Sequence, residues 1–398
     1  MRRSFRLFLS VLTVAVLGTA TARADEGGVG NEQAVALPTD LHAGFLVADP
    51  GPAFYSAYGH CALRLTCPSH DLDYCFTFCM DATPKNYIDF FRGKAYAQYA
   101  CVATDTYMKE YVDEGRSVTV YDLNLDAEQV RTLWQLLDEE AMSRPHIYFD
   151  MLRNHCSSMS VRGMKRCLGS DKLVFDSLPE PLCGSYRDYL HSMSAERPWV
   201  DFIWSTMLGA VGEEKGRTED KLAPPYLVEA LQHAHFVSEE GAERPVLTGQ
   251  QEVLFTGQAD YTRDGFPPIV LFLILSAVAL LVSIGERLGK GKKVAWGFDA
   301  LLLTVQTLLG LVMVYLCFFS ALCVGHKALI VLVLNPLPFV LWLVARKKRW
   351  YKKVWVVYAV VLMAYVLLVF VTPQVDIPHV LMALPLLIRC GAKAIYRR

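Results

Sequence analysis

The chain has 398 residues, of which 53% are hydrophobic and 20% are charged, and its formal net charge is −1. With this balance, and without a basic patch interleaved with aromatic residues, we expect no binding to nucleic acid. The apolar residues are distributed unevenly. Residues 25–262 have an ordinary globular composition, whereas long apolar runs dominate residues 263–398. We therefore predict a globular domain followed by a membrane domain.

The first 24 residues are typical of a secretory signal peptide. Arginines at positions 2, 3 and 6 precede an apolar stretch from Leu7 to Leu17, and the sequence Ala22-Arg23-Ala24 supplies the small residues of a cleavage site. A membrane anchor would need a longer apolar stretch. We predict that residues 1–24 are removed and that residues 25–262 are exported.

The stretch YSAYGHCALRL, residues 55–65, predicts a strand that displays a histidine. Apolar residues at positions 61, 63 and 65 alternate with His60, Ala62 and Arg64, which is the period of a strand with one apolar face. Gly59, just before the histidine, permits close approach of another backbone segment. We predict that His60 lies on the face opposite the apolar one.

The predicted exported domain contains eight cysteines: Cys61, Cys67, Cys75, Cys79, Cys101, Cys156, Cys167 and Cys183. Because exported compartments are oxidising, an even number suggests disulfides, although the sequence does not give their connectivity. Cys75 or Cys79 could pair with Cys61 or Cys67 on a neighbouring strand. A zinc site that combines Cys67, Cys75 and Cys79 with His70 is disfavoured, since the spacing is not that of a zinc knuckle. We predict no metal and no cofactor.

A surface helix is predicted within LNLDAEQVRTLWQLLDEEAM, residues 123–142. Asp126 and Gln129 have the spacing of a capping box, and apolar residues then recur at helical spacing: Val130, Leu133, Leu136 and Leu137.

A second helix is predicted to begin at or beside Cys156, within YFDMLRNHCSSMS, residues 148–160. Val161, Met164 and Leu168 recur at helical spacing after it, and Gly169 is a typical C-cap. A helix N-terminus favours the thiolate, which is the nucleophilic form of cysteine, and its amides can bind an oxyanion. Cys156 is therefore a candidate nucleophile, with a structural or disulfide-bonded cysteine as the alternative.

A cysteine nucleophile needs a base, and His60 is the better of two candidates. His155 is adjacent to Cys156, and neighbouring residues of a helix do not face each other. A histidine on a strand can lie close in space to a cysteine that is distant in sequence. We therefore predict that His60 and Cys156 form a pair.

Five apolar stretches are candidate membrane helices: Pro267 to Ile284, Trp296 to Phe319, Ala328 to Ala345, Val354 to Val371 and a weaker one from Ile377 to Ile388. The connections ERLGKGKK and ARKKRWYKK and the C-terminal RCGAKAIYRR are rich in Lys and Arg, whereas SALCVGHK and TPQVDIPH contain one lysine between them. The positive-inside rule then predicts a multi-pass protein of the inner (cytoplasmic) membrane, with a periplasmic N-terminal domain and a cytoplasmic C-terminus.

Four polar residues of the membrane part stand out: Asp299, Gln306, His326 and Asn335. Ionisable groups within a membrane are functional by default. However, Asp299 lies near the cytoplasmic end and His326 in an outer loop, so we expect solvation at the interface for both.

Several segments resemble the Lnb N-terminal periplasmic domain family: LVADPGPAFYSAYGHCALRL, NYIDFFRGK, EGRSVTVYDLNLDAEQ, YFDMLRNHCSS, RPWVDFIWSTMLG and LAPPYLVEAL. The tail resembles the Lnb-like transmembrane domain, including Asp299, His326 and the sequence LNPLP. The order of histidine first and cysteine later is in turn similar to permuted NlpC-like and lecithin:retinol-acyltransferase-like members of the papain-like group.

The resemblance implies an α+β papain-like (permuted NlpC-like) domain followed by an all-α bundle of about five transmembrane helices. Its Y-S-x-x-G-H element places Tyr55 beside His60 and Cys156 among the candidate catalytic residues. The chain has His155 and Met159 where the family has Asn and Arg. The residue that orients the histidine is therefore open among Asp73, Tyr74 and Thr77.

The favoured function is a membrane-anchored periplasmic cysteine hydrolase or acyltransferase. Cys156 would attack a carbonyl group of an envelope amide, peptide or lipid acyl substrate, and His60 would act as general base and then acid. The alternative is a non-catalytic membrane protein that binds or assembles an envelope partner, because a fold does not determine a function. Membrane lipids are the one partner that the sequence indicates.

Overall fold

The computed structural model describes residues 40–80, 83–143, 145, 147–261, 265–345 and 350–395. The predicted signal peptide lies outside these residues. We call residues 40–261 the N-terminal region and residues 265–395 the helical region.

The strands of the described residues all lie in the N-terminal region: β1 (His42–Ala48), β2 (His60–Cys67), β3 (Leu72–Met80), β4 (Tyr96–Ala103), β5 (Val118–Leu123), β6 (Ile147–Tyr148), β7 (Lys172–Phe175), β8 (Ala234–Val237), β9 (Glu243–Pro245) and β10 (Leu247–Phe255). Seven of them form an antiparallel sheet in the order β10-β5-β1-β2-β3-β4-β6, and β7, β8 and β9 form a smaller one.

The helices of the N-terminal region are α1 (Pro84–Phe91), α2 (Thr104–Glu114), α3 (Ala127–Ser143), α4 (Cys156–Cys167), α5 (Glu180–Cys183), α6 (Tyr186–Ser194), α7 (Pro198–Met207) and α8 (Pro224–Gln232). Those of the helical region are α9 (Pro268–Arg287), α10 (Lys292–Phe318), α11 (Leu337–Ala345), α12 (Tyr351–Leu367) and α13 (Ile377–Ile395). The coarse architecture is therefore an α+β region followed by a helical one.

Different helices cover the two faces of the large sheet. Residues of one face, such as Leu63, pack with Leu133 of α3 and Met164 of α4 in the main core. Residues of the other face, such as Ala62, pack with Tyr111 of α2. The alternation predicted for residues 60–65 is therefore confirmed. Complete burial of a leucine such as Leu63 contributes about 1.5–3 kcal/mol to the free energy of folding.

Both helices predicted around the candidate site are confirmed. The Gln129 amide donates to Asp126 Oδ1 (2.8 Å) and the Asp126 amide donates to Gln129 Oε1 (3.2 Å), which is a capping box at the start of α3. Helix α4 begins at Cys156. Gly169, just after α4, has a φ of +62°, as a glycine near a helix C-terminus often does.

In the described part of the chain, four helices are long and apolar enough to span a membrane: α9, α10, α12 together with the turn to Phe370, and α13. The segment predicted as a weaker fifth span, Ile377 to Ile388, lies in the 19-residue helix α13, and Pro385 lies within that helix. The third predicted span, Ala328 to Ala345, is wrong as a continuous helix. It consists of a 3₁₀ turn, Leu329–Leu332, and the nine-residue α11.

The interruption of this third segment falls at Asn335, just before Pro336. Asn335 Nδ2 donates to Val331 O (3.0 Å), and Asn335 Oδ1 accepts from the Leu337 amide (3.2 Å). Gln306 Nε2 of α10 donates to Val333 O (2.6 Å). Because unpaired carbonyl groups are costly inside a membrane, the polar residues Gln306 and Asn335 complete the hydrogen bonding of the interrupted backbone.

Asp299 contradicts the expectation of interfacial solvation, since it is only 4% exposed. Arg389 Nε donates to Asp299 Oδ1 (2.6 Å), and Lys393 Nζ lies 2.7 Å from Oδ2. Glu286 pairs with the same two cations. Two cations of α13 thus neutralise two carboxylates, so desolvation of Asp299 is compensated by fixed opposite charge. His326, in contrast, is exposed and donates to Ser320 O (2.8 Å).

The N-terminal region packs directly on the helical region. Ala321, after α10, donates its amide to Arg92 O (2.9 Å), and the Gly209 amide donates to Val324 O (2.6 Å). Gly93 has a φ of +71°, and a Cβ atom there would lie 2.2 Å from the Leu322 nitrogen. Glycine is therefore required at this contact. Since β3 leads into α1 and Arg92, the end of the sheet where β3 finishes lies beside the helical region.

Candidate functional site

Cys156 occupies the first position of α4 and is half-buried. The residue before it, His155, is extended and forms the N-cap, with its amide donating to Ser158 Oγ (3.0 Å). The His155 ring donates from Nε2 to Asp220 O (2.9 Å). These contacts fix the helix start, so the Cys156 thiol sits where the first-turn amides and the helix dipole favour an anion.

His60 begins β2 at the end of the sheet nearest the helical region. Its Nε2 atom lies 2.8 Å from Oγ1 of Thr77, which is 5% exposed on β3. The antiparallel register that pairs Leu63 with Phe76 brings these two strand segments together. Since Thr77 occupies Nε2, we assign Nδ1 as the nitrogen that faces Cys156.

The electrostatics of His60 and Cys156 are those of an ion pair. Burial lowers the pKa of His60, but the charge of Cys156 and a hydrogen bond with it outweigh burial, so the His60 pKa is raised. The pKa of Cys156 lies well below its ordinary value, because a hydrogen bond from Cys61, with the charge and hydrogen bond of His60 and a hydrogen bond of His155, outweighs burial. The arrangement therefore favours a thiolate beside an imidazolium.

Cys61 is a neighbour of Cys156 that the sequence placed only on an apolar strand face. Burial, followed by the hydrogen bond with Cys156, raises the pKa of Cys61, which therefore remains a thiol. A neutral S–H group next to a thiolate donates a hydrogen bond to it. Cys61 thus stabilises the anionic form of Cys156 while staying protonated itself.

The Thr77 hydroxyl is the first of a buried chain of hydroxyl groups that extends to α2. A hydrogen bond links Thr77 to Tyr107, whose pKa is raised by burial. Tyr111 OH donates to Tyr107 OH (3.0 Å), and the Arg116 guanidinium stacks 4.8 Å from the centre of the Tyr111 ring. Sequence reasoning did not identify these residues. Tyr107 and Tyr111 reach the site because β3 pairs with β4, and β4 leads into α2. The only signal for them in the sequence was that the two tyrosines are spaced by one helical turn.

Two buried arginines hold the loop that leads to His60. Arg116 Nε donates to Asp49 O (2.7 Å), and Arg197 Nη1 donates to Gly51 O (3.3 Å). Gly59 has a φ of +79°, and a Cβ atom there would lie 2.4 Å from Ala48 O. This contact explains the glycine of the Y-S-x-x-G-H element, because a side chain would displace the residue that precedes His60.

Tyr55, the third residue of the sequence prediction, lies at the rim of the site. It is 78% exposed in the turn Phe54–Ser56. Partial desolvation and then the charges of Glu110 and Glu114 raise its pKa, and Glu110 also acts on the pKa of His60. Tyr55 therefore shares an electrostatic environment with His60 but is mainly in contact with solvent.

Among the three candidates for orienting His60, the described structure places Thr77 against the ring. Asp73 is instead bound by Arg64, with Nη2 at 2.7 Å from Oδ2, and by the Thr104 hydroxyl at 2.5 Å. Tyr74 lies next to Asp73, towards the other end of β3. The side chain that contacts the His60 ring is therefore the hydroxyl of Thr77, and not the carboxylate of Asp73 or the phenol of Tyr74.

The disulfides considered from the sequence are not formed among the described cysteines. Cys61 and Cys75 lie in clusters on opposite faces of the sheet, so that pairing is wrong. Cys67 Sγ is 3.4 Å from His70 Nδ1, but Cys75 instead contacts the Thr104 hydroxyl at 3.3 Å. Within the described residues, no group of three or more His, Cys, Asp or Glu side chains is placed to bind a metal.

Two family models match the chain. The model of the Lnb N-terminal periplasmic domain matches residues 35–164, a range that includes both His60 and Cys156. The model of the Lnb transmembrane domain matches residues 260–398. No curated protein and no solved structure is significantly similar to the chain.

Proposed function

This chain belongs to the Lnb family, with the periplasmic domain followed by the transmembrane domain, and we propose that it is a cysteine acyltransferase or hydrolase of the inner membrane. The observation that carries the proposal is that Cys156, at a helix N-terminus, and His60, whose Nε2 is bonded to Thr77, lie close enough for each to shift the pKa of the other. In the general pattern of covalent catalysis, a base lies beside the nucleophile and an orienting group lies beside the base.

The proposed fold of the N-terminal region is papain-like, in the permuted order with histidine first. Two features support it. A central antiparallel sheet supplies His60 from the start of β2, and α4 packs across that sheet with Cys156 at its first residue. The hydrogen bond from the ring to Thr77 corresponds to the contact by which a third residue holds the base in its productive tautomer.

In the first step, the Cys156 thiolate attacks a carbonyl carbon of an ester or amide. The C–S bond forms, and the electron pair of the carbonyl moves to oxygen, where amide N–H groups of the first turn of α4 can stabilise it. The bond to the leaving group then breaks. His60 donates its Nδ1 proton to the leaving alcohol or amine, and a thioester on Cys156 remains.

In the second step, neutral His60 takes a proton from water or from an acceptor amine or alcohol as that group attacks the thioester. The C–S bond breaks, and Cys156 leaves as the thiolate, which restores the ion pair with His60. Water as acceptor gives hydrolysis, and another nucleophile gives acyl transfer. During both steps Thr77 keeps the imidazole in place through Nε2.

Topology supports a site on the periplasmic side with a cytoplasmic C-terminus. The C-terminal end of α10 is bonded to Arg92 of the N-terminal region, whereas the basic connection ERLGKGKK joins the end of α9 to the opposite end of α10. The end of the sheet that carries His60 faces the helical region. We therefore propose that the substrate is an envelope peptide, amide or lipid acyl compound at the outer surface of the inner membrane.

The proposal is tested by thiol labelling of the full-length protein with iodoacetamide across pH, followed by peptide mass spectrometry. Cys156 should react at a pH well below that of an ordinary thiol. His60→Ala should lower labelling at pH 7, about tenfold for each unit by which the raised Cys156 pKa exceeds 7, and labelling should recover at higher pH. Exposed Cys101 serves as the internal control, since its labelling should not depend on His60. Equal pH profiles for Cys156 and Cys101, unaffected by His60→Ala, would contradict the proposal and favour a non-catalytic role.

A further inference from the structure

We propose that helix α1 lies in the outer interface of the lipid bilayer, with Tyr87, Ile88 and Phe91 facing the lipid. These side chains are 41%, 56% and 49% exposed in the protein. Their spacing of i, i+1 and i+4 places them on one face of the helix. A contiguous exposed apolar face of this kind marks an interaction surface.

Two polar residues of α1, Asn86 and Asp89, point inward while its apolar side chains point outward, which is the reverse of a helix at a water-facing surface. Asn86 and Asp89 are each 7% exposed. Asn86 Nδ2 donates to Tyr96 O (2.9 Å), and the Tyr96 amide donates to Asn86 Oδ1 (3.0 Å). This pair of hydrogen bonds fixes the rotation of the helix about its axis. The apolar face is therefore held outward by specific contacts and needs a non-aqueous neighbour.

The neighbouring contacts place α1 at the level of the membrane surface. At the outer end of α10, the Ser320 hydroxyl donates to Phe91 O (2.7 Å) and the Ala321 amide donates to Arg92 O (2.9 Å). Phe318, the last residue of α10, and Phe319 just after it are 67% and 75% exposed, as expected for side chains that face lipid. Aromatic residues are enriched where a membrane protein crosses the boundary between lipid and water. The apolar face of α1 thus continues the lipid-facing surface of α10.

Charges around the apolar face favour lipid over a second protein as its neighbour. The side chains of Lys85 and Arg92 are 81% and 58% exposed, and both pair with Asp89, at 2.6 and 3.2 Å. Lys94 is exposed as well. An apolar helix face bordered by cations suits the interface, where the apolar side chains reach the acyl chains and the cations meet lipid phosphates.

This surface adjoins the candidate site through Tyr55. Tyr87 contributes to the raised pKa of Tyr55, after partial desolvation and the charges of Glu110 and Glu114, so the two rings lie within electrostatic reach. Tyr55 precedes His60 by five residues, and β3, which carries Thr77, leads into α1. The candidate site therefore lies at the same end of the sheet as α1.

The test uses photoreactive benzoylphenylalanine in place of Ile88, and separately in place of Phe91, in the full chain reconstituted in nanodiscs of phosphatidylethanolamine and phosphatidylglycerol. The matched control is the same substitution at Leu72, which is 38% exposed at the start of β3, roughly 27 Å along the strand from Met80. Irradiation should give lipid adducts at positions 88 and 91 and none at position 72. The same result is expected in a Cys156→Ser background, so it does not depend on the proposed catalysis.

Three results would overturn the proposal. Lipid adducts absent at positions 88 and 91, or no more abundant there than at position 72, would mean that the apolar face of α1 does not face lipid. Cross-links from position 88 to another protein or to a second copy would assign the face to that partner. A cross-link from position 88 to residues 25–39 of the same chain would show that this segment covers the face.

Discussion

Both regions of the molecule bury charged groups, but in different chemical settings. In the helical region, Asp299 is held between two basic side chains, Arg389 and Lys393, in a cluster of fixed ion pairs. In the N-terminal region, Cys156 and His60 can each gain or lose a proton, and a proton moved between them changes both charges. The difference teaches that burial of charge alone does not identify a reactive site. A site needs groups whose protonation can change during a reaction.

The largest effect is expected where the fixed charges are broken. Asp299→Ala leaves Arg389 and Lys393 with Glu286 alone, so one buried cation loses its partner. We expect a loss of about 3–5 kcal/mol in the free energy of unfolding, measured by denaturation of the full-length protein in detergent. Labelling of Cys156 in the folded protein should be unchanged, which separates the helical cluster from the site.

The control for this experiment is the double variant Asp299→Ala with Arg389→Met, which restores a balance between Lys393 and Glu286. It should recover most of the lost stability. If Asp299→Ala is instead no less stable than the wild type but loses Cys156 reactivity, the cluster acts on the site and the contrast between the two regions is wrong.

The next effect concerns Thr77. Thr77→Val keeps the shape of the side chain but removes the oxygen that accepts from Nε2–H of the imidazolium. The pKa of His60 should fall, because its charged form loses a hydrogen bond while the burial that lowers this pKa remains. Acyl transfer needs the protonated ring to expel the leaving group. As the pH is raised, the rate of acyl transfer should therefore begin to fall at a lower pH in Thr77→Val than in the wild type.

The expected reduction at neutral pH is about 10- to 100-fold, as for other residues that orient a functional side chain. Thr77→Ser, which keeps the hydroxyl, is the matched control and should retain most of the activity. Equal losses in Thr77→Val and Thr77→Ser would attribute the effect to packing rather than to the hydrogen bond.

A smaller effect is expected at Cys61. Because its hydrogen bond is the largest contribution to the low pKa of Cys156, Cys61→Ala should raise that pKa. Iodoacetamide labelling of Cys156 should then begin at a higher pH. Cys61→Ser supplies an O–H donor in place of S–H and should shift the pH profile less. Identical profiles in the wild type and in Cys61→Ala would remove Cys61 from the site.

Local sequence patterns were sufficient for the elements that present the candidate site. The alternation around His60 gave β2, and the capping box at Asp126 and the apolar spacing after Cys156 gave the two helices that follow. These features depend on residues a few positions apart. The pairing of His60 with Cys156 required the relation between a strand and a helix almost a hundred residues apart, which only the cysteine chemistry and the family resemblance indicated.

Features that depend on tertiary contacts were predicted less well. Thr77 could not be separated from Asp73 and Tyr74 because the choice depends on strand register, and Tyr107 was not considered at all. The third membrane segment read as continuously apolar, yet Asn335 and Gln306 support an interruption there. Asp299 was assigned to solvent because its partners on α13 lie about 90 residues further along the chain.

The measurement that most directly tests the central claim is a search for an acyl adduct on Cys156. Full-length wild type and Cys156→Ser would be isolated from membranes, treated with or without neutral hydroxylamine, and digested for mass spectrometry of the peptide containing residue 156. We predict a mass increase on Cys156 that hydroxylamine removes, as expected for a thioester, with a smaller amount in Thr77→Val, which is slowed in the first step. A Cys156 peptide that stays unmodified in every variant during turnover of envelope substrates, or one found in a disulfide, would contradict the assignment of Cys156 as the nucleophile.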